Sequence, residues 1–240
     1  MKKENKNKII IDLCGGTGSW SKPYKDAGYD VRLITLPELD VLKTEFYGIS
    51  TAQFPIIQFV SSNREKLMRV NVKNVYGVLA APPCTMFSFA RTNAKKPRDL
   101  HDGMECVRAC LDIIWKIMEV KQPTAKKTIP LQFWALENPA RGFLKNFLGK
   151  PAFIFNPWEF GDMYKKETAL WGNFNNPTKL KADICVHSVP CKCPPRKKMT
   201  KFDYLKSKDI HPEAFGKFDR QIRRSITPTG FAKAFFEANQ

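Results

Sequence analysis

Two kinds of apolar segment alternate along this chain: short uninterrupted runs, and longer stretches with a period near 3.6. Ile9-Ile10-Ile11-Asp12-Leu13 is a run of the first kind, too short and too β-branched for a helix, and it predicts a buried strand over 9–13. Similar runs predict strands at 31–36, 75–80 and 132–137, with further strands near 153–157 and 168–174. Helices are expected near 19–28, over 103–119 and over 141–148. In the second of these, Met104, Val107, Cys110, Leu111, Ile114 and Met118 line one face, which reads as the side turned to the core. No element is assigned between 36 and 75. Residues 174–212 change character, with prolines, lysines and cysteines but no clear period, and Thr229 to Ala238 is again apolar and helix-like. Strands alternating with helices predict an α/β fold built on a doubly wound sheet.

Three of the predicted strands end in residues that carry chemistry. After Asp12 and Leu13 comes a turn with Gly15, Gly16 and Gly18, where backbone amides can approach a ligand closely at a helix start. The run ending at Ala81 meets Pro82-Pro83-Cys84. Two prolines stop the strand's ladder, so Cys84 sits on a stiff loop at a strand's carboxyl end. Phe133-Trp134-Ala135-Leu136 delivers Glu137 just before Asn138-Pro139. Ligands of open α/β sheets bind at such carboxyl ends.

Together, Asp12-Leu13-Cys14-Gly15-Gly16-Thr17-Gly18, Pro82-Pro83-Cys84 and Glu137-Asn138-Pro139 resemble, in the same order, the cofactor loop, nucleophile loop and acid-bearing strand end of the DNA cytosine-5 methyltransferases. The likeness continues through Lys165-Lys166-Glu167-Thr168-Ala169-Leu170-Trp171 and Arg224 to Ala232, and is nearest to the short phage-type members. The resemblance implies a Rossmann-like, S-adenosylmethionine-dependent methyltransferase fold. It implies a catalytic core at 1–173, a short target-recognition region at 174–212 and a segment at 213–240 that returns to the core. It assigns Cys84 and Glu137 to catalysis, Asp12, Leu13, Gly15, Gly16, Gly18 and Pro82 to S-adenosylmethionine, and Ser88, Arg91, Lys165 and Lys166 to DNA, with no metal at the site. Several positions depart from the family. Cys14 stands for the usual Phe, Gly15 for Ala and Ser19 for the last Gly. Thr85 replaces Gln, and Lys165 and Lys166 only echo a Gln-x-Arg-x-Arg segment. The acid that holds the cofactor ribose has no clean counterpart, with Glu38 and Asp40 merely nearby.

Charge adds a partner class. With 40 Lys and Arg against 23 Asp and Glu, the formal charge is +17, a field that draws polyanions and leads to salt-sensitive binding. The expected partner is double-stranded DNA, bound by a monomer. No stretch approaches the ~20 apolar residues that span a bilayer, and no apolar leader follows the lysine-rich amino terminus. Seven cysteines, an odd number, fit a reducing cytoplasm better than a disulfide framework. Cys106 and Cys110 read as small apolar core residues. Cys185, His187, Cys191 and Cys193 fall within nine residues, a loop that could close around zinc although its spacing fits none of the usual signatures.

The expected chemistry follows from cytosine itself. Its carbon 5 is a poor nucleophile, so a thiolate adding at carbon 6 turns the ring into an enamine that can accept a methyl group at carbon 5. An acid must protonate ring nitrogen 3 as charge builds, and the base must first be extruded from the duplex. Two alternatives stay open: an inactive nucleic-acid-binding member of the family, or a methyltransferase acting on RNA or on a modified cytosine.

Overall fold

Ile9, Ile10, Ile11 and Leu13 are all buried, so the strand they form must be covered on both faces, and the whole architecture follows from that requirement. The structure, a computed structural model, describes residues 5–48, 55–90, 94–121, 130–180, 201–202 and 220–240. Strand β1 (Ile9–Leu13) leads through α1 (Lys22–Asp26) to β2 (Asp30–Ile34). Then come β3 (Asp40–Tyr47), β4 (Ile56–Val60), β5 (Leu67–Asn71), β6 (Val75–Ala80), α2 (Leu100–Val120) and β7 (Phe133–Pro139). A short α3 (Lys145–Leu148) precedes β8 (Phe153–Phe155) and β9 (Thr168–Asn173), and α4 (Arg220–Ser225) and α5 (Thr229–Ala238) close the chain.

The main sheet is mixed and six-stranded, in the order β2-β1-β6-β7-β9-β8. Its first four strands are parallel, while β9 runs antiparallel to both β7 and β8. The chain leaves β1 toward β2 on one side and returns to β6 on the other. The carboxyl ends of β1 and β6 therefore bound a crevice, with the end of β7 next to it.

Each face of the sheet has its own core. On one face Ile11 and Leu13 join Val107, Cys110, Ile114 and Ile117 of α2, together with Val41, Ile57, Phe59 and Val70 of a second, three-stranded antiparallel sheet in the order β3-β4-β5. On the other face Ile10 meets Trp20, Tyr24, Phe133, Phe155, Phe231 and Phe235. The Phe155 and Phe231 rings stack at 3.8 Å between centroids, which fixes α5 on this face. Through Phe231 and Phe235, α5 thus joins the core on the sheet face where Ile10 of β1 lies.

Several expectations need correction. The second sheet occupies the stretch left unassigned. The expected helix over 141–148 shrinks to Lys145–Leu148, because Gly142 is drawn into a bridge with Ser88. The expected 19–28 helix is only Lys22–Asp26. On α2 the buried face turns toward Ile113 and Ile117, leaving Met118 exposed. Of the region 174–212, only 174–180 and 201–202 lie within the described residues. Among the described residues no helix is long and apolar enough to cross a membrane.

Gly172 offers a test of the β7–β9 seam. It adopts φ 149°, and a Cβ there would stand 2.1 Å from the Trp134 carbonyl oxygen. Backbone cannot step aside as a side chain can. Gly172→Ala should cost about 2–4 kcal/mol in urea denaturation, and an unchanged midpoint would place the seam elsewhere.

Candidate active site

The first wall of the crevice is the turn after β1. Cys14, Gly16 and Gly18 all take positive φ, at 56°, 56° and 70°, a sharp left-handed turn that two glycines make inexpensive. The turn closes on itself through the Gly18 amide, which donates to Gly15 O at 2.9 Å, and it is tied to β2 by the Cys14 amide donating to Ile34 O at 2.7 Å. Beneath it Asp12 is fully buried. Its Oδ2 accepts the Ser21 hydroxyl at 2.5 Å, but Oδ1 is buried without a hydrogen-bond partner. Burial pushes its pKa up to about 6 against the pull of Ser21, so near neutral pH this is a desolvated anion with an unsatisfied oxygen. A Cβ on Gly15 would stand 2.4 Å from that carboxylate, so glycine is required there to make room for Asp12.

The second wall is the loop after β6. The Phe87 and Ser88 amides both donate to Cys84 O, at 3.0 and 2.9 Å, turning the chain tightly just after the thiol. Phe87 is fully buried as the loop's anchor. The Arg98 guanidinium donates to Met86 O and Ser88 O at 2.5 and 3.1 Å, and lies over the Phe143 ring. The Phe143 amide donates to Phe87 O at 3.0 Å. Cys84 is thus presented on a braced loop. The residue is exposed by area, yet enough protein surrounds the thiol to desolvate it.

The third wall is the end of β7. Asn138 Nδ2 donates to Pro82 O at 3.0 Å in a buried contact that joins β7 to the proline loop, while Asn138 Oδ1 is a second buried oxygen without a partner. Glu137, the residue before it, is half-buried by area, but its carboxyl is desolvated and its pKa raised, with Lys166 pulling the other way. The Cys84 pKa is likewise raised, by burial first and by the charge of Glu137 second, and is drawn back down by Lys166 and Arg224. Cys84, Glu137, Lys166 and Arg224 therefore form one electrostatically linked cluster.

The residues expected from sequence fall into place unevenly. Asp12, Gly15, Gly16 and Gly18 form the turn, and Pro82 lies buried behind the thiol loop. Leu13 does not offer its side chain to the crevice. That side chain is fully buried in the core, and the Leu13 carbonyl accepts the Ala81 amide at 2.9 Å. Ser88 uses its hydroxyl to accept the Ala90 amide at 3.2 Å. Of the two lysines, Lys166 is the one linked to the cluster, whereas Lys165 bridges main chain to Lys201. Arg91 lies outside the described residues, as do Cys185, His187, Cys191 and Cys193. Among the described residues no group of three His, Cys, Asp or Glu side chains could hold a metal ion. Both acids near the end of β2 are engaged: Glu38 pairs with Lys66, and Asp40 accepts the Leu42 amide at 3.0 Å and the Ser62 hydroxyl at 2.8 Å. Sequence reasoning gave no role to Ser21, Arg98, Asn138 or Arg224. Asn138 and Arg224 at least stand inside the segments that carry the resemblance. No model of a known protein family matches this chain, and no curated protein matches it either.

Asp12 supplies a pH test. Its folded pKa of about 6 lies above the ordinary 3.8, so the folded state holds the proton more tightly than the unfolded state. Stability from this group is highest below about pH 4, falls as pH rises to about 6, and then levels. Asp12→Asn, which keeps an acceptor for Ser21, should match the parent near pH 4 and exceed it by up to about 3 kcal/mol at pH 7. A difference independent of pH would mean that Asp12 is not a buried anion.

Proposed function

We propose that this chain transfers a methyl group to carbon 5 of cytosine in DNA, with Cys84 as nucleophile and Glu137 as acid. The observation that carries the reading is the convergence of a braced, accessible thiol and a desolvated carboxyl at adjacent strand ends, beside a glycine turn over a buried anion. The doubly wound, Rossmann-like methyltransferase fold belongs to the same proposal. The parallel β2-β1-β6-β7 core, with helices on both faces, supports it.

S-adenosylmethionine, when bound, supplies an electrophilic methyl group carried on a cationic sulfur. The first wall suits such a ligand. Asp12 is an under-satisfied buried anion that a cationic group would complement, and the side of Gly16 is open except for Ser225 Oγ at 3.6 Å. On the protein's part, Cys84 gives up its thiol proton to solvent and Sγ forms a bond to ring carbon 6. The electron pair of the carbon 5–carbon 6 double bond shifts toward nitrogen 3, and Glu137 donates a proton there, a role that burial of its carboxyl favours by raising its pKa. Carbon 5 is then nucleophilic. After methylation a base removes the carbon 5 proton, the double bond re-forms, Cys84 leaves as thiolate, and nitrogen 3 returns its proton to Glu137. DNA is the partner that the net charge favours, with Lys166 at the thiol and a basic surface for phosphates.

One observation favours a second reading. Among the described residues near the end of β2, Asp40 is hydrogen-bonded within the second sheet and Glu38 is paired with Lys66 at the surface, so neither is held in place for a ribose, as would suit a member that binds nucleic acid with little cofactor affinity.

Nucleoside mass spectrometry of DNA incubated with the protein and S-adenosylmethionine decides between them. The proposal expects 5-methylcytosine from the parent, none from Cys84→Ser, and at least about a hundredfold less from Glu137→Gln. DNA bound but never methylated would favour the second reading, and full activity in either variant would remove that residue from the mechanism.

A further inference from the structure

Segments from opposite ends of the chain meet at the glycine turn. The Thr227 amide donates to Ser19 Oγ at 2.8 Å, across 208 residues of sequence. Gly16, at φ 56°, has one neighbour beyond its own chain flanks within 4 Å of where a Cβ would stand, Ser225 Oγ at 3.6 Å. Among the described residues, then, the end of α4 is what faces the open side of the turn. The Ser225 hydroxyl donates to Ile222 O at 2.7 Å, which leaves its oxygen able to accept. The two sides of this meeting point are held very differently. From Ile226 onward the chain is firmly seated: Ile226 and Pro228 are buried, and the Gly230 amide donates to Asp162 Oδ2 at 3.2 Å. Phe231 stacks on Phe155 at 3.8 Å, and Trp20, the residue after Ser19, meets Phe235 edge-on at 5.3 Å. On the other side α4 has six residues, too few to be stable by itself, and its Ile222 and Ser225 are exposed.

We propose that α4 and the link to Thr227 form a lid over the glycine turn, pivoting just before α5 and latched shut by the Ser19 hydroxyl. The latch belongs to this side chain: glycine, which the cytosine-5 methyltransferases have at the position of Ser19, would offer the Thr227 amide no acceptor. With the latch made, Ser225 stands over Gly16, and a ligand lying along the turn touches both elements. Such a ligand binds the closed lid more tightly than the open one, and by linkage it must favour closure to the same extent. Ser19 is thus a positioning residue, acting through α4 and not on any reacting atom. That the ligand is S-adenosylmethionine rests on the proposed function. The latched lid does not.

Amide hydrogen exchange of the full chain without ligand tests the latch. Ser19→Ala should speed exchange across 222–227 by about three- to tenfold, the range for one hydrogen bond, and leave 231–238 unchanged. Ser19→Thr, which keeps a hydroxyl, should restore the parent's rates. Unchanged exchange in Ser19→Ala overturns the proposal. So does acceleration confined to the Thr227 amide, which would mean a single bond and no lid, or equal acceleration throughout 222–238, which would mean that Ser19 merely stabilises the fold. S-adenosylmethionine then tests the coupling. It should slow exchange over 222–227 in the parent, and calorimetry should give a Kd about two- to fivefold higher in Ser19→Ala, because less of that protein is closed. Binding that neither slows this exchange nor depends on Ser19 overturns the proposal. No binding by a parent whose latch behaves as expected would remove S-adenosylmethionine from the turn, counting against the proposed function while upholding the lid.

Discussion

The site depends on one buried hydrogen bond, from the side-chain amide of Asn138 to the carbonyl of Pro82. Strands β6 and β7 pair in register as far as Ala80 and Leu136, and beyond that point Pro82 and Pro83 have no amide hydrogen with which to continue the ladder. Left alone, the two strand ends would splay and the groups they carry would part. The Asn138 side chain replaces the missing ladder bond, and the exchange is obligatory because the polar atoms there are out of reach of water. Cys84 follows Pro82 on the loop after β6, and Glu137 immediately precedes Asn138 on β7, so both flank this clamp. Their electrostatic contact is therefore a consequence of the backbone being pinned, rather than of two side chains meeting by reach.

That arrangement creates a difficulty which the surrounding charges resolve. A desolvated thiol beside a desolvated carboxyl makes each group hold its proton more firmly, as both raised pKa values record. Lys166 offsets this for both groups and Arg224 for the thiol alone. The glycine turn shows the complementary situation, a buried carboxylate at Asp12 with an oxygen left over and no described cation to match it. Unsatisfied buried groups are uncommon in stable folds, and two of them, at Asp12 and Asn138, border the same crevice.

The parts of this structure legible in the sequence were those whose cause is local. Strand β1 and strand β6 stand at the predicted residues because uninterrupted β-branched runs buried on both faces have no competing reading, and the double proline announces where β6 must stop. Asp12, Cys84 and Glu137 were legible as candidate site residues because Asp12 and Glu137 lie near the carboxyl ends of their strands and Cys84 on the loop that β6 runs into. The second sheet was not legible. Its strands put polar residues on one face, where Gln58 bonds Glu45 and Arg69, and the register between β3 and β4 slips between Asp40 and Thr44, which breaks the alternation. Arg98 and Arg224 were hidden for another reason. Their roles depend on carbonyls or a thiol far along the chain, and nothing in the neighbourhood of either arginine distinguishes it from a solvated cation.

The central claim, that Cys84 forms a bond to carbon 6 of cytosine, is tested most directly with duplex DNA in which 5-fluorocytosine replaces cytosine, incubated with the full chain and S-adenosylmethionine. A fluorine at carbon 5 cannot depart as a proton does, so the final elimination is blocked and the adduct accumulates. The account predicts a denaturation-resistant protein–DNA species whose modified peptide contains Cys84. Failure of any such species to form on DNA that the protein binds, or an adduct mapped to another residue, would contradict it.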